Sequence, residues 1–210
     1  MPRERAAPRA CANVRPPAAW PTFLGACETR RLSPKSGALE PPEISVRPFR
    51  REEWASYREL RLRALADAPD AFGSTFERES AWPDQHWVER LATATDSKLQ
   101  FPLVAELQGE PVGLALGFID SAEPELAHVF QMWVAPHARG RGCGTALLQA
   151  LSEWALSTTA KAMTLCVTCG NGSAQRLYAH ADFKPNGDPE PLRPGSTVLV
   201  QPMLRQLYWV

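Results

Sequence analysis

Apolar and polar positions change their period several times along this chain, and each change marks an element. Ile44-Ser45-Val46-Arg47-Pro48-Phe49 alternates with a period of two, as a half-buried strand does. Trp54, Tyr57, Leu60 and Ala64 then recur at helical spacing. That helix should stop at Asp67-Ala68-Pro69-Asp70, because the residue before a proline disfavours the α region. Pro83 predicts the start of a second short helix, with Trp87, Val88 and Leu91 on one side. Leu103–Leu107 and Val112–Phe118, joined by Gln108-Gly109-Glu110, read as a hairpin. Ala127–Val134 is a further apolar strand. After a glycine-rich loop, Leu147, Leu148, Leu151, Trp154 and Ala155 form one stripe of a helix. Met163–Thr168 reads as a strand, Asn171 as the N-cap of a helix reaching about His180, and Ser196–Met203 as the last strand. The order β-α-α-β-β-β-α-β-α-β predicts an α/β fold, a mixed central sheet of about six to seven strands flanked by helices.

Residues 1–43 break this pattern. They hold 8 of the 20 prolines and carry seven Lys/Arg against four Glu, with no apolar periodicity. Little there could offset the entropy of ordering the chain. The expectation is a disordered Pro/Arg-rich extension on a domain spanning 44–210. An Arg-rich transit peptide and a start assigned too early are rival readings.

Composition narrows the function classes. Formal net charge is zero over 210 residues, which gives no general support to nucleic-acid binding. No apolar run approaches the roughly 20 residues that span a bilayer, so no membrane partner is expected. Five cysteines at irregular spacing argue against a disulfide framework. Cys166 and Cys169 form a lone CxxC on a strand, where residues three apart point to opposite faces. The resulting expectation is a reduced, cytoplasmic protein.

The chemistry concentrates in Arg139-Gly140-Arg141-Gly142-Cys143-Gly144-Thr145, between a strand and an amphipathic helix. Three glycines in five positions let the backbone turn sharply and approach a ligand. The first N–H groups of the helix have no internal partner, so with the positive end of the dipole behind them they suit a phosphate. Arg139 and Arg141 can add charge-assisted hydrogen bonds. The bland alternative is a glycine-rich strand-to-helix turn. The lysine and hydroxyl of the P-loop pattern are absent, and Leu147 stands where a dinucleotide fingerprint needs its third glycine.

These residues resemble the GNAT N-acetyltransferases, whose acetyl-CoA motif runs Gln/Arg-x-x-Gly-x-Gly/Ala. The chain reads Arg139-x-x-Gly142-x-Gly144. Met132-Trp133-Val134-Ala135-Pro136 is similar to the family's strand ending in Val-x-Pro. Asn171-Gly172-Ser173-Ala174 followed by Tyr178 matches a second family pattern, in the same order and at the usual separation. Leu62–Leu65 and Ala71–Thr75 also look like the first helix and following loop of some bacterial members. The resemblance covers about residues 44–205. One departure is Asp182-Phe183 where the family usually has Gly-Phe, and Asp can adopt the left-handed turn at some cost.

The resemblance implies a GNAT-like fold with the strands at 127–134 and 163–168 splayed around acetyl-CoA as co-substrate. The partners implied are acetyl-CoA and an amine acceptor, with a homodimer left open. Met132, Trp133 and Val134 would hold the pantetheine and polarise the carbonyl. Arg139, Gly140, Arg141, Gly142, Cys143, Gly144 and Thr145 would cradle the pyrophosphate, and Asn171 would bond the cofactor or a nearby water. Tyr178 would be the general acid for the leaving thiolate. Glu77, Glu79, Asp120, Glu125, His128 or a water chain would take the amine's proton. The rival is a non-catalytic acyl-CoA-binding regulatory module, which would have no need of Tyr178.

Overall fold

The computed structural model describes residues 43–207. The expected extension over 1–43 lies, apart from Glu43, outside the described residues. The chain opens with β1 (Ile44–Pro48), α1 (Trp54–Asp67), α2 (Phe76–Ser80) and α3 (Asp84–Asp96). Next come β2 (Gln100–Leu107), β3 (Glu110–Ile119), β4 (Leu126–Val134), α4 (Cys143–Leu156) and β5 (Ala162–Thr168). It closes with α5 (Gly172–His180), β6 (Lys184–Pro185), β7 (Glu190–Pro191) and β8 (Leu199–Gln206).

The strands form one sheet in the order β1-β2-β3-β4-β5-β8-β6, with β7 also paired to β8. Every pairing is antiparallel except β4 with β5. The hairpin between β2 and β3 closes through Gln108 and Gly109, both left-handed at φ 53° and 81°. That geometry matches the twist of the flanking strands. α1 and α4 lie on opposite faces, as the alternation along β4 shows. Met132 borders Gly144 at the start of α4, whereas the Trp133 indole Nε1 donates to Asp67 at the end of α1 at 2.8 Å. The core runs through both layers, with Leu60, Leu65, Trp87 and Leu91 above the sheet and Leu147, Leu148 and Leu151 below it.

Three departures from the sequence expectations have local causes. α2 is five residues long, too short to display a helical period, and is marked by the Thr75 N-cap, whose Oγ1 accepts from the Arg78 N–H at 3.3 Å. The helix opened by Pro83 runs 13 residues rather than being short. The last strand starts at Leu199, not Ser196. Ser196 is held in a turn, its N–H donating to the Arg193 carbonyl at 3.0 Å and its Oγ accepting from the Val198 N–H at 3.1 Å.

Candidate active site

The sheet opens where β4 and β5 meet. Their parallel ladder has only three pairs, Leu126 with Ala162, Ala127 with Met163, and His128 with Thr164. β5 continues to Thr168 and β4 to Val134 without pairing to each other. A bulge helps turn β4 away. The register with β3 shifts by one between Leu114 and Leu116, and Gln131 takes the left-handed φ of 55°.

The direction of the main-chain groups beyond the bulge follows from the ladder. The Ala135 N–H donates to the Val112 carbonyl at 2.7 Å, so Val112 and Ala135 are a hydrogen-bonded pair. In an antiparallel ladder the next pair, Gly113 with Val134, is then non-bonded, and Leu114 with Trp133 is bonded again. Val134 and Met132 therefore turn their N–H and C=O groups toward the opening. Trp133 turns its own toward β3 and sends its ring to α1. Of the three strand residues singled out from sequence, the geometry brings two to the opening and directs Trp133 away from it.

The glycine loop closes one end of the opening. Gly140 and Gly142 have φ of 73° and 96°, a region that side chains rarely adopt, and Gly142 is the N-cap of α4. The first intrahelical bond runs from the Ala146 N–H to the Gly142 carbonyl at 3.0 Å. The N–H groups of Gly142, Gly144 and Thr145 have no backbone acceptor among the described residues, and that of Cys143 meets only its own thiol. α4 spans 14 residues, so its dipole adds positive potential there. At Gly144 a β-carbon would come within 3.0 Å of the Leu177 side chain, so glycine lets α5 approach the first turn of α4. Cys143 is buried, and burial pushes its thiol pKa up, leaving it a neutral packing group.

The two loop arginines differ. Arg141 is exposed and makes no ion pair among the described residues. The Arg139 guanidinium is committed elsewhere, its Nε donating to the Val134 carbonyl at 2.9 Å and its Nη2 pairing with Asp67. The sequence expectation gave Arg139 a free charge for an anion; in the structure Asp67 neutralises it. Its side chain instead ties the loop to the ends of β4 and α1.

Asn171 caps α5, its Oδ1 accepting from the Ala174 N–H at 3.1 Å and from Ser173 Oγ at 3.0 Å. Capping uses the carbonyl oxygen and leaves the amide NH2 for a ligand. Tyr178 is buried in the core, edge-on to Phe183 at 6.1 Å. Burial pushes its pKa far above the usual 10, so the hydroxyl stays protonated throughout the neutral range. The helix carrying it ends as the sequence predicted. Asp182 sits left-handed at φ 63°, its N–H donating to the Ala179 carbonyl while the Phe183 N–H reaches back to that of Tyr178.

The candidate bases separate clearly. Glu79 is excluded, because it is 1% exposed and both its oxygens are taken by Arg61, at 2.9 and 2.7 Å. Desolvation would raise its pKa, but the Arg61 bonds and charge outweigh this and hold it low. Glu77, Asp120 and Glu125 are solvent-facing or half-buried, and Glu125 pairs with Lys161 at 2.5 Å. His128 stands at the last pair before β4 and β5 part, stacked on Phe130 at 5.7 Å. Burial lowers its pKa below 6.5, partly offset by Glu123 and Asp120, so the ring is neutral at pH 7.

A model of the family described as "Acetyltransferase (GNAT) family" matches residues 52–183. An L-2,4-diaminobutyric acid acetyltransferase of Nocardia farcinica is 32% identical over 77 residues, which is 37% of this chain and 40% of that protein. The chain thus spans less than half the length of that relative. Among solved structures, a GNAT-family acetyltransferase of Streptococcus pneumoniae superposes with a TM-score of 0.69 at 19% identity, over 79% of this chain and 100% of that one. A spermidine N-acetyltransferase of Vibrio cholerae, solved with CoA and spermine, gives 0.64 at 17% identity, over 78% and 95%.

Proposed function

Since the chain belongs to the GNAT acetyltransferase family, we propose that it transfers the acetyl group of acetyl-CoA to a primary amine, by direct attack of the amine nitrogen on the thioester carbonyl. One observation carries the reading. An opening between parallel strands faces a helix N-terminus whose N–H groups lack partners, within the one stretch of sequence built from glycine and arginine. The residues present fit an acyl-CoA. The N–H groups from Gly142 to Thr145 would take the pyrophosphate, with Arg141 adding charge and Gly140 allowing the turn. Main-chain groups of Met132 and Val134 would hold the pantetheine arm and polarise the thioester carbonyl. The free amide of Asn171 would bond the cofactor or a water beside it.

Three tasks remain for side chains and geometry. The acyl carbon and the amine must be held together, worth several orders of magnitude by positioning alone. His128, neutral at pH 7, would take the proton that the amine loses as the C–N bond forms. Tyr178 would give its proton to the departing sulfur as the C–S bond breaks. The Nocardia relative acts, by its name, on an aliphatic diamino acid, which supports a small aliphatic amine as acceptor class. A regulatory acyl-CoA-binding module is disfavoured by the presence of both a proton donor and a neutral histidine.

The deciding experiment is mass spectrometry of an amine panel incubated with acetyl-CoA and the purified chain. A mass gain of one acetyl group less one hydrogen on the amine is the expected product signature. Acetyl-CoA binding without acetylation of any amine would favour the regulatory module.

A further inference from the structure

Between α1, α2, α3 and the bulge of β4 lie three charged side chains that the acetyl-transfer reading does not use. Arg61 and Glu79 are 4% and 1% exposed and pair face to face. Their fork consumes both oxygens of the carboxylate, yet Arg61 Nη1 remains buried without a partner. Arg90, half-buried on α3, donates from Nε to the Tyr57 hydroxyl at 3.3 Å and lies 5.3 Å over the Trp82 ring. Its two Nη groups have no hydrogen bond or ion pair among the described residues. Two cations thus face one carboxylate, leaving a net positive charge, with Arg61 Nη1 buried and unpartnered and Arg90 half-buried.

That charge is wired to the opening. The Tyr57 hydroxyl, which accepts from Arg90, donates in turn to Gln131 Oε1 at 2.8 Å. Gln131 is the bulge residue, flanked by Phe130 on one side and Met132 on the other. Phe130, stacked with His128 and 6.1 Å from Phe118, offers an aromatic floor on the same sheet face. A half-buried cation that shares its counter-charge with a second cation gains from a ligand that brings a further negative charge. The planar fork of a guanidinium fits a carboxylate with two parallel hydrogen bonds.

We propose that the acceptor is an amine that also carries a carboxylate, and that Arg90 is the specificity residue that reads it. The proposal rests on the assignment of the β4–β5 opening as the acetyl-transfer site. The carboxylate of the acceptor pairs with the free Nη groups of Arg90, and its aliphatic stem lies along Phe130 and Trp82. An acceptor with a second ammonium in place of the carboxylate meets the surplus positive charge and is rejected.

The test uses the full chain, acetyl-CoA, and amine pairs that differ only by the carboxylate: lysine against cadaverine, and ornithine against putrescine. Release of the CoA thiol gives kcat/KM for each. The carboxylate-bearing member should be preferred about 10- to 150-fold, the ratio that a charged hydrogen-bonded contact supports. Arg90→Gln should bring that ratio close to one by raising KM for lysine and ornithine and lowering it for cadaverine and putrescine, which no longer meet the surplus charge. Arg90→Lys should restore part of it. A wild-type ratio at or below one overturns the proposal even if no variant folds, and so does a preference that survives in Arg90→Gln. Acetyl-CoA binding with none of the four amines acetylated also overturns it. No acetylation together with no thermal shift from acetyl-CoA overturns the acetyl-transfer assignment beneath it.

Discussion

The two sides of the sheet are built on different principles. On the α4 side the site is made of backbone: unpartnered N–H groups, two left-handed glycines, and strand amides turned into a gap. On the α1–α3 side it is made of side chains, paired across elements that are distant in sequence. Arg61 meets Glu79, Tyr57 meets Gln131, and Arg90 meets Tyr57. In the proposed reading a backbone cradle recognises what an entire family shares, here the phosphates and thioester arm of one co-substrate. A cluster of side chains can be rewritten residue by residue, which is where an acceptor specificity can reside without disturbing the cradle.

The sharpest break in this comparison should come from Gly142→Glu. A side chain there is strained by φ 96° and aims a carboxylate at the anion site. Loss of two or three hydrogen bonds to charged oxygens, each about 1.5–3 kcal/mol, predicts at least about a 100-fold rise in the acetyl-CoA Kd. Titration calorimetry on the folded variant checks it. Wild-type affinity would mean the loop is only a turn.

Tyr178→Phe should leave that Kd unchanged and lower kcat by about 100- to 10,000-fold, the usual contribution of a general acid. Single-turnover kinetics separates chemistry from product release. The pH profile gives a second view of the same chemistry. With the neutral form of His128 as the proposed base, kcat at saturating amine should fall as pH drops below the lowered His128 pKa, while kcat/KM also rises with pH as the amine loses its own proton. Burial raises the Tyr178 pKa above 10, so no alkaline loss should appear below that pH. An alkaline limb near pH 8 would assign the proton to another group.

On the side-chain face, Glu79→Gln should reduce stability rather than cofactor affinity. It leaves Arg61 as a buried cation without its counter-charge, a loss of about 3–5 kcal/mol. In the wild type the Glu79 pKa is lowered, so its stabilisation is present above the ordinary value of 4.5 and fades as pH falls through the folded value. Denaturant titrations at pH 7 and pH 4 should show that acid-sensitive component in the wild type and not in the variant. Equal stability of the two proteins at pH 7 would mean the pair holds nothing together.

The smallest effect should be at the turn that ends α5. Asp182→Gly removes a β-carbon from a left-handed position and should stabilise the chain by about 0.5–1 kcal/mol. Thermal melts should rise by about 1–4 °C. A fall would show that the Asp182 side chain contributes something that its φ conceals.

What the sequence determined by itself was everything set within a few neighbouring residues. The stripe of α4, the Pro-limited end of α1, the Asn171 cap, the left-handed Asp182 and the glycine loop all follow from local periodicity, steric limits and unsatisfied N–H groups. The patterns around Arg139–Gly144 and Asn171–Tyr178 carried the family for the same reason, since a backbone cradle needs particular residues at fixed local spacing. Tertiary structure alone decided what depends on which elements become neighbours. It set the length of the β4–β5 ladder, and with it the alternation that turns Met132 and Val134 inward and Trp133 out. It gave Arg139 to Asp67, 72 residues away, and Glu79 to Arg61, so a residue read as phosphate ligand became a strut and a candidate base became a buried counter-ion. Arg90 had no signal in the sequence, because one arginine on an amphipathic helix resembles any solvated charge. Only packing shows that its guanidinium is drawn in beside Tyr57 with its outer donors unspent, since the free energy of a charge is fixed by the groups around it in space and not by its neighbours along the chain.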